Sequence, residues 1–349
     1  MGIFTGDFVF VGSTGRPDLL EEAAGQAGTA EPGARELYRS IQKFLQLPGH
    51  LQVWPSHGAG SACGKGLGAI PSSTVGYEAM FNEALQFESE DAFVDYILAD
   101  QPEAPPYFAV MKHVNKHGPN VIGDRGLPPK LDTQKLALRV EVAMVVDLTS
   151  PKNFGKAHVP GTVNISPGAV ARDAGWFVDH HRPLYLIAGK EILEQTLRTF
   201  REMGIDDIQG YFDVEEVHNA RLATEMFPFQ TPDQLADQIQ NGEVHLVDVR
   251  RQTEWDEGHI EQANYSFLGK LMQQASDLPT DKPIVFQCRS GARSAAACAV
   301  AQAKGIKDVI NLDGGIIRWQ EEGRPIVGEP QAIGRSPIFK RNQIATSSG

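Results

Sequence analysis

One cysteine of the chain lies in a loop whose composition suits nucleophilic chemistry. Residues 288–294 read CRSGARS, after a strand-like apolar run and before an alanine-rich, helix-like run. If the backbone N–H groups of this loop turn inward where the helix starts, the nest of amides and the helix dipole both favour negative charge on the Cys288 sulfur. Cys288 is then a thiolate, and Arg289 and Arg293 supply further positive charge that can hold an anionic substrate. The alternative interpretation is a small buried residue at a strand end.

The other two cysteines indicate less chemistry. Cys298 lies within AAACAVA, where a small apolar side chain packs well in a buried helix. Cys63 lies in a Gly-rich turn, either as a thiol near an amino-terminal site or as an inert loop residue. An odd total of 3 cysteines argues against a disulfide framework and favours a reducing compartment.

Length and composition restrict the class of protein. With 349 residues, 41% hydrophobic and 22% charged, the chain has the composition of a globular protein with two or three domains. Its formal net charge of −12 argues against nucleic acid or an acidic membrane as a partner, since both bind basic surfaces. No apolar run approaches the ~18 residues of a membrane-spanning helix. The start lacks the basic region of a secretory signal, and we expect a cytoplasmic protein.

The elements that must position the cysteine loop occur twice. Residues 135–227 align with residues 235–328, so that Asp147 matches Asp248. Each copy reads as a helix, a buried strand ending in that Asp, a short helix, a strand, a second apolar strand and a longer helix. The alternation predicts a parallel sheet covered by helices on both faces. Such sheets bind ligands at the carboxyl ends of their strands, which is where Cys288 falls.

Five segments of the second copy resemble the rhodanese domain in their order and spacing. They are LVDVR (246–250), GHIEQA (258–263), CRSGARS (288–294), LDGGIIRW (312–319) and EGRPI (322–326). In that family the loop cysteine accepts a sulfane sulfur, becomes a persulfide and passes the sulfur to a thiol or to cyanide. The resemblance implies that Cys288 carries the sulfur and that Asp248 and Arg250 brace the loop from the strand. It also implies an anion site formed by Arg289, Ser290, Gly291, Ala292, Arg293 and Ser294.

Loop length helps to distinguish sulfur transfer from the related phosphatase chemistry. Phosphatases of this type use Cys-x5-Arg around a tetrahedral phosphate, whereas Arg293 gives Cys-x4-Arg and position 294 is Ser. The shorter loop favours sulfur transfer. In the first copy Ala188 occupies the cysteine position and the following GKEILEQ lacks both arginines. That copy resembles a rhodanese domain without a site, and we expect it to serve packing or partner docking.

The amino-terminal third resembles a different fold. FTGDFVFVGSTGRPDL (4–19) and VWPSHGAGSACGKGLGAIPSSTVGYE (53–78) resemble the carboxyl-terminal part of the metallo-β-lactamase fold, in the branch of persulfide dioxygenases fused to rhodanese domains. By this resemblance Asp7 matches the carboxylate of a two-His, one-Asp mononuclear iron site. His57 matches a ligand of the second metal in hydrolase relatives, which is not an iron ligand in the dioxygenases.

The iron site that this resemblance implies is incomplete in the sequence. Arg16 and Asp18 match a Gly-Arg-x-Asp element near the site, but the His-x-His-x-Asp-His motif normally lies upstream of FTGD. A lone carboxylate does not hold ferrous iron, so iron is expected only if the missing ligands are restored. His113 and His117 have helical spacing but lie in a polar segment, and we do not expect them to bind metal.

The sequence therefore predicts an α/β protein that ends in two tandem rhodanese-like domains, each a parallel sheet with helices on both faces. A partial metallo-β-lactamase-like region and linker fill residues 1–125, and an inactive rhodanese-like domain fills residues 126–227. The active rhodanese domain spans residues 228–330, and residues 331–349 form a tail.

The functional expectation is a rhodanese-type sulfurtransferase that needs no cofactor. It passes sulfane sulfur from thiosulfate or a low-molecular-weight persulfide to a thiol acceptor through a Cys288 persulfide. One alternative is a truncated or mis-started dioxygenase fusion whose intact form oxidises persulfides at mononuclear iron, and another is a docking module that senses persulfides without turnover. The expected partners are the small anionic donor and the thiol acceptor. Homo-oligomerisation stays open, because missing strands would leave a sheet edge exposed.

Overall fold

The computed structural model describes residues 1–22, 27–56, 70–99, 101, 103–119, 121, 123 and 126–328. They form two compact units, Met1–Val145 with Ser166–Glu216, and Val146–Ile165 with the chain from Val217 onward. Both contain helices and parallel strands, so the predicted α/β class is confirmed. Residues 146–165 thus join the second unit although they lie inside the predicted domain 126–227, and the predicted boundaries stay predictions. The predicted tail, 331–349, lies outside the described residues.

Strands and helices alternate through most of the chain. The strands are β1 (Gly2–Gly6), β2 (Val9–Phe10), β3 (Ser13–Thr14), β4 (Gln52–Pro55), β5 (Ser73–Thr74), β6 (Met144–Asp147), β7 (Val163–Asn164), β8 (Leu184–Ala188), β9 (Ile208–Asp213), β10 (Phe229–Gln230), β11 (His245–Asp248), β12 (Ala263–Tyr265), β13 (Ile284–Gln287) and β14 (Val309–Leu312). The α-helices are α1 (Leu19–Glu22), α2 (Ala30–Phe44), α3 (Val75–Phe81), α4 (Glu90–Leu98), α5 (Tyr107–His117), α6 (Leu136–Val142), α7 (Pro151–Lys156), α8 (Val170–Phe177), α9 (Lys190–Glu202), α10 (Val214–Asn219), α11 (Pro232–Gln240), α12 (Gln252–Glu257), α13 (Leu268–Gln274), α14 (Ala292–Ala303) and α15 (Gly315–Glu321). Across the described ranges, every helix is too short or too polar to cross a bilayer.

The amino-terminal part of the first unit is built on a small mixed sheet. Strand β1 pairs in parallel with β4, β4 pairs antiparallel with β5, and β2 and β3 form an antiparallel hairpin. Helix α2 buries one face through Ala34, Ile41 and Phe44, positions that recur at helical spacing. These residues form one core with Phe93 and Ile97 of α4.

The rest of the first unit contains the last two strands of the first copy. Strand β8 pairs in parallel with β9, from Leu184 beside Ile208 to Ala188 beside Asp213. Strand β8 is buried throughout, as expected for a parallel strand covered on both faces. Helix α9 follows it and buries a stripe at i, i+3, i+4 and i+7, formed by Leu193, Thr196, Leu197 and Phe200.

The second unit is built on a five-stranded, all-parallel sheet with the order β10-β14-β13-β11-β12. Its first helix, α11, opens at Thr231 as predicted, with Pro232 in the first turn and the Thr231 N–H donating to Gln234 Oε1 at 2.9 Å. In the register of the central strands, Asp248 at the end of β11 lies beside Gln287 at the end of β13. The sheet therefore brings Asp248 close to Cys288 at one edge.

A matched pair of histidines shows that both copies fold alike after their first strand. In the first copy, His158 stacks on Phe154 with ring centroids 3.9 Å apart, and His158 Nδ1 is hydrogen-bonded to the Phe154 carbonyl oxygen. In the second copy, His259 stacks on Trp255 at 3.6 Å and bonds its carbonyl in the same way. Each histidine comes four residues after its ring partner and just after the end of a short helix. The two copies therefore have the same local structure at this point.

Candidate active site

The loop after β13 and the start of α14 direct two hydrogen-bond donors at the Cys288 sulfur. Gly291 has a φ of 93°, a left-handed conformation that glycine adopts without steric cost. This turn lets the Gly291 N–H donate to Cys288 Sγ at 3.2 Å, and the Ser294 hydroxyl donates to the same sulfur at 3.4 Å. Helix α14 begins at Ala292, so its amino-terminal end points toward the loop. Two hydrogen-bond donors and the positive end of a helix dipole therefore lie at the sulfur of Cys288, a residue that is 1% exposed.

The start of helix α15, which follows the neighbouring strand β14, holds the loop backbone. The N–H groups of Ile316 and Ile317 donate to the carbonyls of Cys288 and Arg289 at 2.9 and 3.2 Å. Gly315 has a φ of 56°, and a Cβ there would lie 2.2 Å from the Cys288 carbonyl oxygen. Only glycine allows this approach, which explains in physical terms why the LDGG segment carries glycine at this position.

Asp248 and Arg250 form a buried pair at the carboxyl end of β11. They are 0% and 5% exposed, and Arg250 Nη2 lies 2.7 Å from both Asp248 Oδ2 and the Gly258 carbonyl oxygen. Between them, the Val249 N–H donates to the Gln287 carbonyl at 3.0 Å, one residue before Cys288. This arrangement supports the predicted bracing role, which stays a prediction.

The two loop arginines lie in different environments. Arg293 donates from Nη1 and Nη2 to the two carboxylate oxygens of Glu254 on α12, at 2.6 and 2.7 Å. Arg289 and Ser290 are exposed, as is Ala292. Among the described residues, the Arg289 guanidinium forms no ion pair. The structure thus brings all seven predicted loop residues, 288–294, to one place, but it pairs Arg293 with a carboxylate that the sequence reasoning missed.

The ion pair between Arg293 and Glu254 is strong enough to overcome burial at both ends. Burial acts to raise the pKa of Glu254, but the hydrogen bonds and charge of Arg293 outweigh it and hold that pKa below its usual value. Burial acts to lower the pKa of Arg293, and Glu254 together with the nearby Cys288 sulfur raises it instead. The pair is therefore fully ionised around neutral pH.

The remaining cysteines differ in what can be described. Cys298 is 0% exposed within α14, and burial, followed by the nearby Cys288 sulfur, raises the pKa of its thiol well above the usual value. Cys298 is therefore a neutral packing residue, as the sequence indicated. Cys63 and His57 lie outside the described residues.

The amino-terminal candidates do not assemble into a metal site within the described residues. The Ser56 hydroxyl donates to Asp7 Oδ1. Arg16 pairs with Asp18 through Nε to Oδ1 at 3.1 Å and Nη2 to Oδ2 at 2.5 Å. No group of three His, Cys, Asp or Glu side chains suited to a metal ion occurs in the described part of the chain. The donor set described around Asp7 therefore does not fit the iron triad that the fold family implies.

Comparisons with known proteins find similarities for both the carboxyl-terminal and the amino-terminal parts of the chain. Residues 231–322 match the rhodanese-like domain family. A sulfurtransferase of Allochromatium vinosum is 42% identical over 85 residues, which are 24% of this chain and 79% of that protein. The protein YtwF of Bacillus subtilis is 40% identical over 83 residues, 24% of this chain and 80% of its own length.

A solved structure accounts for much of the remaining chain. The metallo-beta-lactamase of Staphylococcus aureus subsp. aureus COL is similar with a TM-score of 0.52 and 36% identity, covering 61% of this chain and 58% of that one. This chain belongs to the rhodanese-like family, and its amino-terminal part has a metallo-β-lactamase-type neighbour. The predicted combination of the two folds is confirmed, and the similarities support rhodanese-type sulfurtransferase activity in general.

Proposed function

We propose that the second copy transfers sulfane sulfur from thiosulfate or a low-molecular-weight persulfide to a thiol acceptor through a persulfide on Cys288. One observation carries the proposal: the Cys288 sulfur receives hydrogen bonds from the Gly291 N–H and the Ser294 hydroxyl at the start of α14. This arrangement directs hydrogen-bond donors and the start of a helix at the sulfur that would accept and release the transferred sulfur atom.

The first half-reaction begins with attack of the Cys288 thiolate on the outer sulfur of the donor. With thiosulfate, a new S–S bond forms at Cys288 while the S–S bond of thiosulfate breaks, and sulfite leaves with the electron pair. With an alkyl persulfide, the leaving group is the alkyl thiolate. In both cases one sulfur atom moves to Cys288 and the charge balances, so no external oxidant or reductant is consumed.

The second half-reaction returns Cys288 to its starting state. The thiolate of the acceptor attacks the outer sulfur of the Cys288 persulfide, takes that sulfur, and leaves the Cys288 thiolate behind. The Gly291 N–H, the Ser294 hydroxyl and the start of α14 also favour negative charge on the bound outer sulfur and on the departing thiolate. Because Cys288, donor and acceptor supply every electron, this route needs no metal or redox cofactor.

The partners of this reaction are a small anionic donor and a thiol acceptor, and we place the reaction in the cytoplasm. The net charge of −12 favours small-molecule or protein partners over nucleic acid and acidic membranes. Persulfide oxidation at mononuclear iron stays an alternative, and it needs two ligands besides Asp7 that the described residues do not place beside it.

The test combines turnover with identification of the intermediate. The purified protein is treated with thiosulfate or glutathione persulfide, and intact mass spectrometry follows the gain of one sulfur atom. We expect that gain in the wild type and in Cys298→Ala, none in Cys288→Ser, and repeated sulfite release when a thiol acceptor is present with thiosulfate. Transfer persisting in Cys288→Ser contradicts the proposal. A stoichiometric sulfur adduct without repeated turnover favours persulfide sensing.

A further inference from the structure

Opposite charges already compensate two of the arginines around the Cys288 loop. Arg250 is paired with Asp248, and both side chains are almost fully buried. Arg293 is held at both Nη atoms by the Glu254 carboxylate, with 19% and 26% of the two side chains exposed. Within the loop, Arg289 is therefore the cation left without a carboxylate partner among the described residues.

The bidentate ion pair with Glu254 limits how Arg293 can bind an anionic donor. One fork of the guanidinium, formed by its two Nη atoms, already donates to Glu254 and is closed to a sulfonate-like group. The carboxylate also cancels the guanidinium charge as seen from the loop, while its own charge repels a second anion. The site therefore offers fewer positive charges than its sequence suggests.

We propose that Glu254 determines the donor specificity of the loop. By occupying Arg293 it leaves one uncompensated loop cation, so that the site prefers a donor with one negative charge at its reacting end, an alkyl persulfide, over dianionic thiosulfate. The inference rests on the sulfur transfer proposed above. Glu254 acts through Arg293, so it is a positioning residue and has no contact with the reacting sulfur in this scheme.

Glu254→Gln is the direct test, and Glu257→Gln is its matched control. Glu257 is exposed on the same helix, α12, and its substitution removes the same charge without altering a contact with Arg293. We expect Glu254→Gln to raise kcat/KM for thiosulfate relative to glutathione persulfide about fivefold, as for a partly exposed charge contact. The gain should appear mainly in KM for thiosulfate, and it should shrink as salt is added.

The pair with Arg293 supplies a second, independent test. In an Arg293→Gln background, Glu254→Gln removes the repulsion of an unpaired carboxylate but releases no guanidinium, so the double variant should not reach the preference for thiosulfate of Glu254→Gln alone. The double variant removes both charges together, so its donor ratio should stay within about twofold of the wild type. If Glu254→Gln alone lowers the thermal midpoint so far that it cannot be assayed, the double variant still tests whether Glu254 acts through Arg293.

Three results separate the inference from the proposed function. If the wild type transfers sulfur from neither donor, the proposed function itself fails. If the wild type is active but Glu254→Gln leaves the donor ratio unchanged, or Glu257→Gln changes it equally, Glu254 does not set specificity. A double variant whose donor ratio shifts by more than about twofold would also overturn the inference, because Glu254 would then act other than through Arg293.

Discussion

The two copies of the repeat differ most where a strand passes into its long helix. In the second copy, Cys288 is separated from α14 by three residues, and that helix begins at Ala292. In the first copy, Ala188 ends β8 and α9 begins at Lys190, so that Gly189 alone lies between them. A single residue cannot form the turn that brings the Gly291 N–H and the Ser294 hydroxyl to the Cys288 sulfur in the second copy. The first copy therefore lacks this turn as well as the cysteine.

The charge at this junction also differs. The Glu191 carboxylate lies directly against Gly189, which has an ordinary negative φ of −72°. The second copy has Arg289 and the left-handed Gly291 in the corresponding stretch. Negative charge at the helix start in the first copy disfavours both a thiolate and an anionic donor.

The first strand of the sheet in each copy, β6 or β11, shows the same contrast in the buried carboxylate at its end. Asp147 accepts the Thr149 N–H at 2.8 Å, and Asp248 accepts the Arg250 N–H at 2.9 Å, so both copies keep the same turn. Among the described residues, Asp248 has a guanidinium partner and Asp147 has none, because Thr149 stands where the second copy has Arg250. Burial accordingly raises the pKa of Asp147. The turn is retained for folding, and the charge pair belongs to the copy with the site.

Moving the cysteine to the first copy is the strongest test of this difference between the copies. In a chain carrying Cys288→Ser, the additional change Ala188→Cys should restore no sulfur transfer, leaving activity at least about a thousandfold below wild type. We expect this because the first copy lacks the loop that directs hydrogen-bond donors at the sulfur, and because the Glu191 carboxylate lies nearby. Assays with thiosulfate and intact mass measurement check the outcome. A persulfide that forms on the introduced thiol and turns over would show that a cysteine at this strand end is sufficient by itself.

The buried carboxylates should respond oppositely to loss of charge. Asp248→Asn leaves Arg250 buried without its partner, and we expect a loss of about 3–5 kcal/mol in the free energy of unfolding. Asp147→Asn should be neutral or stabilising at pH 7. Since the folded-state pKa of Asp147 is raised, its contribution to stability is greatest at pH values below its ordinary pKa and falls as pH rises toward the folded value.

Denaturation curves for both variants at pH 5 and pH 7, two chosen conditions, check this pair of predictions. Asp147→Asn should gain more at the higher pH, because the wild type has by then lost the favourable protonated form. Equal destabilisation by the two substitutions would show that Asp248 and Asp147 have the same role, and the contrast drawn between the copies would be wrong.

Two glycines allow a smaller test of loop geometry. Gly315→Ala places a Cβ against the Cys288 carbonyl at a φ of 56°, and should cost about 2 kcal/mol of stability with about a tenfold loss of transfer. Gly189→Ala meets only the flexible end of Glu191 at a φ that alanine adopts freely. We expect its effect on stability to stay within about 0.5 kcal/mol. Thermal midpoints and transfer rates measured on both variants distinguish loop support from ordinary packing.

The sequence was sufficient where local pattern determines structure. The strand, loop and helix around Cys288 follow from a buried run, a Gly-containing turn and an Ala-rich segment, and the opening of α11 follows from Thr231 and Pro232. The pairing of Arg293 with Glu254 could not be predicted in this way. The two residues are 39 positions apart on different helices, and no periodicity connects them.

Unit boundaries were beyond sequence reasoning for a related cause. Residues 146–165 join the second compact unit, although their pattern aligns them with the first copy. Repeat alignment reports which elements share an origin, whereas compactness depends on which surfaces bury each other after folding. The resemblance alone matched Asp7 to an iron-ligand position, since a carboxylate in FTGD has no local signature of metal binding.

Cys298 provides the smallest expected effect and sharpens the contrast between a reactive and an inert thiol within one copy. Cys298→Ala should keep sulfur transfer within about twofold of wild type, because the raised pKa of this thiol keeps it protonated. Removing one buried sulfur should cost about 1 kcal/mol in the free energy of unfolding. Activity and denaturation midpoints measured on the same preparation separate the two effects. A loss of transfer well beyond the loss of stability would mean that Cys298 takes part in sulfur chemistry, and Cys288 would then no longer be the single working thiol of the second copy.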